Sequence, residues 1–177
     1  HEYFDNNCFQ FIIPNTSEWI IGNGKTTDLK FKIEQSSKLL KEFNININRG
    51  VLTGLNAAFI INEETKNQLI AESSNSAEII QPILRGRDLK KYSYEFAGFY
   101  LINTHNGVAK HNIERIKVKE NYPAIYNYLL SFLPQIEQRQ DQGQDWTNLR
   151  NCAYLEDFNK PKIVWGEISD QPDRKST

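Results

Sequence analysis

NRGVLTGLNAAFIINEE, residues 48–64, places two glycines four positions apart directly before a short apolar run. The run AFII (58–61) predicts a β-strand, and INI (45–47) predicts another on the far side of the glycines. Glycine tolerates positive φ and close backbone approach, so Gly50 and Gly54 predict a tight turn between these strands. Thr53 and Asn56 beside this turn can hydrogen-bond either to its own backbone or to a ligand.

Local patterns outward from this stretch predict a small mixed sheet with packed helices, an α+β fold. GNGKTT (22–27) predicts a loop, and the spacing of Leu29, Ile33, Leu40 and Phe43 predicts one face of a helix over about 27–42. Further strands are predicted at 9–14, 19–21, 99–103 and 162–168, and further helices at 63–73, from Asn75, and at 122–140.

Three of these predictions carry specific boundary signals. Asn62 is placed to begin the helix at 63–73, and Asn75 with Glu78 forms a capping-box pattern for a short helix. Pro123 is tolerated in the first turn of the next helix. Pro134 must kink or break that helix, because its ring clashes with the carbonyl four residues earlier.

The composition is typical of a globular protein. The chain has 177 residues, a net charge of −1, 39% hydrophobic and 24% charged residues, and no apolar run long enough for a transmembrane helix, so we expect a globular protein without a membrane partner. The lone cysteines Cys8 and Cys152 predict two free thiols or one disulfide, and no zinc site.

The sequence lacks the motifs that are typical of catalytic sites. His105 and His111 lack a metal-ligand spacing, and no nucleophile elbow or cofactor-binding glycine loop follows a strand. A minimal metal-dependent nuclease would need converging carboxylates that the sequence does not bring together. We therefore expect this chain to be non-catalytic and to bind no metal or other cofactor of its own.

Two basic runs are candidate nucleic-acid contacts, although either can be an ordinary solvated surface. The runs contain Arg85, Arg87, Lys90 and Lys91, and then Lys110, Arg115, Lys117 and Lys119. Dense aromatic residues accompany the first run, and for them core packing is the preferred interpretation over base stacking: Tyr92, Tyr94, Phe96, Phe99 and Tyr100. Trp146 and Trp165 are expected to anchor the core or a helix.

Several separated pieces occur in a familiar order: INRGVLTGLNAAFIIN (47–62), IIQPILRGRDLKKY (79–92), FYLINTHNG (99–107), YPAIYNYLLSFLPQIEQR (122–139), WTNLR (146–150) and FNKPKIVW (158–165). Together they resemble the C-terminal target-recognition domain of TaqI-like and type IIG restriction–modification enzymes. In those enzymes the domain follows an adenine-specific DNA methyltransferase, often fused to an endonuclease. Pro134 departs from the unbroken helix expected in that family.

The resemblance implies a sequence-specific DNA-recognition domain at 45–168, which would end in a helical spacer element. It would be preceded by a connecting segment with a strand pair and a helix (1–44) and followed by a tail (169–177). Its partners would be double-stranded DNA and the methyltransferase domain of the same polypeptide, upstream of His1, in a prokaryotic cytoplasm. That upstream part would use S-adenosylmethionine, and Mg²⁺ if it also cleaves DNA.

On this interpretation the DNA-contacting candidates are Arg49, Thr53, Asn56, Arg85, Arg87, Lys90, Lys91, Lys110 and Lys117, with Gly50, Gly54 and Gly86 as turn residues. Arg can bridge O6 and N7 of guanine, Asn can pair with adenine, and Thr can meet phosphate or the thymine methyl group. The alternative is an interaction module that docks the catalytic domain or a partner protein and contacts no bases.

Overall fold

The structure is a computed structural model that describes residues 24–166, without the side chains of residues 24, 26 and 27. The strands predicted at 9–14 and 19–21, as well as Cys8, lie outside this range. Contacts divide the chain into two units, His1–Asn48 and Arg49–Thr177. No helix between residues 24 and 166 combines the length and apolar character needed to cross a bilayer.

In the first unit a helix, α1, spans Gly24–Ser36, and a 3-10 turn spans Leu40–Glu42. The helix predicted at 27–42 therefore begins earlier, so residues 24–27 are not the predicted loop, and it ends six residues sooner than predicted, at Ser36. The hydroxyl of Ser36 donates to the Lys32 carbonyl at 2.8 Å, and such side-chain bonds compete with the helical ladder near a helix end. The predicted apolar face stays exposed, with Leu29 at 59%.

The second unit contains the remaining described elements, in chain order: α2 (Asn56–Phe59), β1 (Ile60–Asn62), α3 (Glu63–Glu72), β2 (Ile80–Pro82), β3 (Leu89–Lys90), β4 (Ser93–Tyr94), β5 (Phe99–Ile102), α4 (Val118–Asn121), α5 (Pro123–Leu130) and α6 (Gln135–Gln138). Short 3-10 turns occur at Ser74–Glu78, Gly86–Asp88, Ala109–His111 and Leu155–Asn159. Helices beside a small sheet confirm the predicted α+β class.

The central sheet is antiparallel, in the order β1-β5-β2, with Ile60 opposite Leu101 and Ile80 opposite Ile102. β5 confirms the strand predicted at 99–103. The AFII strand is shorter than predicted, because Asn56–Phe59 forms a helical turn and only Ile60 and Ile61 of the run are extended. The INI segment at 45–47 has no regular structure, so the two predicted strands do not form a hairpin around the glycines.

The core of the second unit lies between this sheet and helices α3, α5 and α6. Its fully buried side chains include Phe59, Ile102, Val118, Ile125, Leu129 and Ile136. Burying a side chain of this size contributes about 1.5–3 kcal/mol, so this cluster supplies most of the driving force for folding the unit. The long helix predicted at 122–140 breaks before Pro134, as expected. α5 turns an apolar face into the core, and α6 contributes Ile136.

Helix starts show which boundary signals were correct. The Asn62 side chain caps α3 by accepting from the Thr65 amide at 2.9 Å, as predicted. The capping box at Asn75 and Glu78 is wrong, because the Ser74–Glu78 turn has no side-chain cap. Glu78 instead accepts a hydrogen bond from the Tyr122 hydroxyl at 2.9 Å, a tertiary contact that competes successfully with the local one.

The strand predicted at 162–168 does not form over residues 162–166, and residues 167–168 lie outside the described range. Ile163, Val164 and Trp165 are exposed by 87%, 51% and 62%. A strand needs a partner to satisfy its backbone, and no described strand pairs with this segment. The expectation that Trp165 anchors the core is wrong, whereas Trp146 packs against Tyr126 with ring centroids 5.6 Å apart.

Candidate functional site

The glycine-rich turn, residues 50–56, is held mainly by contacts with other residues of the protein. The Thr53 hydroxyl donates to the Asn56 side-chain oxygen at 2.6 Å, and Thr53 is buried. Gly54 has φ +68, and a Cβ there would lie 3.0 Å from the Cβ of Asp141. Gly50 does not adopt positive φ, so that part of the turn prediction is wrong. Asn56 remains exposed, with its side-chain oxygen engaged by Thr53.

Arg139 holds this turn in place through hydrogen bonds from its buried side chain. No sequence pattern singled out this residue. Its guanidinium donates to four backbone carbonyls, those of Thr53, Asp141, Trp146 and Asn148. It also lies 4.5 Å from the centre of the Phe59 ring. Burial lowers the pKa of Arg139 to about 10, so the group remains a cation at neutral pH. This residue joins the glycine-rich turn to the loop at 141–148.

The Arg85 side chain is engaged in contacts within a local turn. Its Nε and Nη2 donate to the two carboxylate oxygens of Asp88 at 3.0 and 2.9 Å, and its backbone amide also donates to Asp88. The guanidinium stacks on Phe99 at 3.9 Å. These hydrogen bonds from Arg85 lower the pKa of Asp88 to about 2. Arg85 therefore shapes the Gly86–Asp88 turn, and Arg87 is the exposed arginine of the pair.

β3 and β4 form a hairpin that follows this turn. Leu89 pairs with Tyr94 and Lys90 pairs with Ser93, so Lys91 and Tyr92 are its two-residue loop. Tyr92 has φ 61 and is 96% exposed. The left-handed conformation costs a side-chain-bearing residue about 1–2 kcal/mol, and the exposed Tyr92 ring gains little packing to offset this. We call residues 87–94 the basic hairpin.

The surface of the basic hairpin combines cations with aromatic rings. Arg87, Lys90 and Lys91 are exposed, and Lys90 has one exposed ion pair with Glu95 at 3.6 Å. The Lys91 ammonium lies 5.6 Å from the Tyr92 ring. Exposed cations and aromatic rings on one narrow element are the groups that bind phosphates and stack on bases.

Core packing was the wrong interpretation for part of the aromatic cluster. Tyr94 and Phe96 are exposed by 63% and 45%, like Tyr92. Phe99 and Tyr100 are half-buried in β5, where Tyr100 has the Lys66 ammonium 4.0 Å from its ring. Sequence pattern failed here because Tyr94 and Phe96 alternate with polar residues much as half-buried strand residues do.

The second basic run divides between paired and exposed cations. Lys110 lies exposed in the Ala109–His111 turn, and Lys117 forms an exposed pair with Glu120 at 3.7 Å. Arg115 binds the carboxylate of Asp145 and donates to Asn148 at 3.0 Å. A cleft of about 260 Å³ lies beside them. Its lining includes Arg115, Lys117, Lys119, Tyr126 and Trp146.

The remaining candidate residues are two histidines, one cysteine and Arg49. The Nδ1 of His105 accepts from the Gly107 amide at 3.2 Å, and burial lowers the pKa of His105. His111 pairs with Glu156 at 2.7 Å, and Cys152 is a free thiol. Arg49 is exposed in an irregular segment. Between residues 24 and 166 no three His, Cys, Asp or Glu side chains are arranged to hold a metal ion.

Comparison with models of known protein families gives no match, and a search of curated proteins gives no significant match. The assignment of a function to this chain therefore depends on the geometry and chemistry of the described residues.

Proposed function

We propose that residues 49–166 form a DNA-binding domain that contacts duplex DNA through the basic hairpin. The observation that carries this proposal is the exposure of Arg87, Lys90 and Lys91 on an element whose side chains contribute little to the core. The resemblance drawn from the sequence points to the same ligand. In that setting the domain positions DNA for an adenine methyltransferase, which would hold S-adenosylmethionine elsewhere in the polypeptide.

The hairpin supplies both kinds of contact that a DNA-binding element needs. Lys90 and Lys91 are point charges suited to phosphate, whereas the planar guanidinium of Arg87 can also bridge two acceptors on guanine. The exposed pair between Lys90 and Glu95 contributes only about 0–1 kcal/mol, so a phosphate can displace Glu95. The net charge of −1 gives little long-range attraction, so binding is expected to be weak and confined to this surface.

The strength of the electrostatic contribution can be predicted. Three cations that each neutralise one phosphate give a slope of about −2.7 in a plot of log affinity against log salt. Affinity should then fall about 40-fold between roughly 50 and 200 mM salt. Fluorescence anisotropy of the purified chain with a labelled duplex measures this slope directly.

A charge-matched pair of variants tests the location. The triple variant Arg87→Ala, Lys90→Ala, Lys91→Ala should lose most of the slope and most of the affinity. The control Arg150→Ala, Lys160→Ala, Lys162→Ala removes the same charge from other exposed positions and should change both by much less. Equal losses in the two variants, or no binding by the unaltered chain, would contradict the proposal.

A docking module is the second candidate, because a continuous apolar segment is exposed. Ile163, Val164 and Trp165 offer an unusual amount of exposed apolar surface for three consecutive residues. On this alternative the segment would pack against the methyltransferase domain of the same polypeptide. The variant Ile163→Ser, Trp165→Ser tests this second candidate. If the segment docks, the variant should associate more weakly with that domain, supplied as a separate chain, and its DNA affinity should not change.

A further inference from the structure

Tyr92 is the most unusual residue of the basic hairpin. It occupies the second position of a two-residue loop at φ 61, and 96% of its surface is exposed. Gly or Asn is the ordinary choice for such a position, since bulky residues rarely adopt positive φ. The chain places a tyrosine there, in a conformation that costs free energy and gains almost no packing.

The fold does not explain the Tyr92 side chain. The Lys91 ammonium is 5.6 Å from the ring and belongs to the same loop. A backbone outlier that the surrounding packing does not require is a reason to look for a function of the side chain. For Tyr92 that function must use a solvent-facing aromatic ring beside the Lys91 ammonium.

The chemistry of the surrounding surface identifies the ligand class. Lys90 and Lys91 directly precede Tyr92 in the sequence, and the exposed Tyr94 follows two residues later. Aromatic rings beside cations bind unstacked nucleobases, because the ring stacks on the base while the cations hold neighbouring phosphates. A fully paired duplex buries both faces of each base and offers such a ring nothing to stack on.

We propose that Tyr92 stacks on an unpaired nucleobase, so that the preferred ligand of the basic hairpin is duplex DNA that is opened at one base. This inference rests on the proposed function of the hairpin and adds a substrate preference to it. The cations supply the affinity for the DNA backbone, and the phenol ring supplies the preference for an opened site.

The test compares two labelled duplexes of the same sequence, one fully paired and one with a single unpaired base. The unaltered chain should bind the second about tenfold more tightly, since stacking one base on an aromatic side chain contributes about that factor. Tyr92→Phe should keep the preference, because it keeps the ring. Tyr92→Gly should bind both duplexes equally, because it removes the ring that distinguishes them.

Measuring stability distinguishes a binding role of the Tyr92 ring from a purely structural role. Glycine relieves positive φ, so Tyr92→Gly should unfold at the same or a higher urea concentration than the unaltered chain while it loses the preference. A preference that survives in Tyr92→Gly, or equal binding of both duplexes by the unaltered chain, overturns the inference and leaves the proposed function standing. Absence of binding to either duplex overturns both.

Discussion

Replacement of Arg139 tests whether the glycine-rich turn is held by one buried cation. Arg139→Ala removes a guanidinium that donates to four backbone carbonyls and covers the Phe59 ring. These carbonyls belong to two separate segments, since Thr53 precedes Arg139 by 86 residues and the other three follow it within nine. The substitution therefore disconnects the turn from the loop at 141–148.

The expected loss in the free energy of unfolding of Arg139→Ala follows from these contacts. Hydrogen bonds to a charged group contribute about 1.5–3 kcal/mol each, so a simple sum would reach the whole stability of a domain, about 5–15 kcal/mol. Water that enters the vacated space rehydrates some carbonyls, and the cost of burying the cation is removed as well. We expect a net loss of about 3–5 kcal/mol, as for removal of one partner from a buried charged interaction.

Urea unfolding followed by tryptophan fluorescence measures this loss, and Trp146 lies in the affected loop. With a slope of about 2 kcal/mol per M, the midpoint should fall by roughly 2 M. Arg150→Ala is the matched control: its guanidinium pairs with Asp141 at 2.9 Å, but its side chain is 57% exposed. That exposed pair contributes about 0–1 kcal/mol.

A second substitution keeps the test informative if Arg139→Ala does not fold. Arg139→Lys retains the charge but lacks the planar fork that serves carbonyls on two sides, so it should lose about half as much stability, about 1.5–2.5 kcal/mol. If Arg139→Ala costs no more than about 1 kcal/mol above Arg150→Ala, the reasoning from buried hydrogen bonds is refuted.

Elements with a local cause were predictable from the sequence. The start of α3 at Glu63 follows from the Asn62 cap, and the break before Pro134 follows from the proline ring. The strand at β5 follows from a continuous apolar run bounded by turn residues. Each of these depends on residues that are neighbours in the chain, which is the range over which pattern and propensity act.

Elements that depend on distant partners were not predictable. The apolar run at 163–165 has the composition of a strand, but no described strand offers it a partner. The role of Arg139 requires carbonyls from two segments far apart in the chain, and its sequence context looks like the polar end of a helix. Composition also cannot distinguish Tyr92, which is exposed, from Tyr122, which is buried in the core.

Two further substitutions test the turns that flank the candidate site. Gly54→Ala should cost about 1–3 kcal/mol, because it combines left-handed strain with a close contact to Asp141; urea unfolding checks this, and a neutral result would contradict the strain. Asp88→Asn should change the response to acid. The hydrogen bonds from Arg85 depress the pKa of Asp88 from 3.8 to about 2, so the ionised carboxylate stabilises the folded state above about pH 4, and this contribution is lost as the pH falls through that window. The asparagine cannot titrate, whereas every other carboxyl group protonates in both proteins, so the difference between their free energies of unfolding isolates this one group. Measured from about pH 5 down to about pH 2, that difference should shrink steadily. A difference that stays constant over the window would show that Asp88 has the same pKa in the folded and unfolded chain, and that Arg85 does not hold the Gly86–Asp88 turn through its charge.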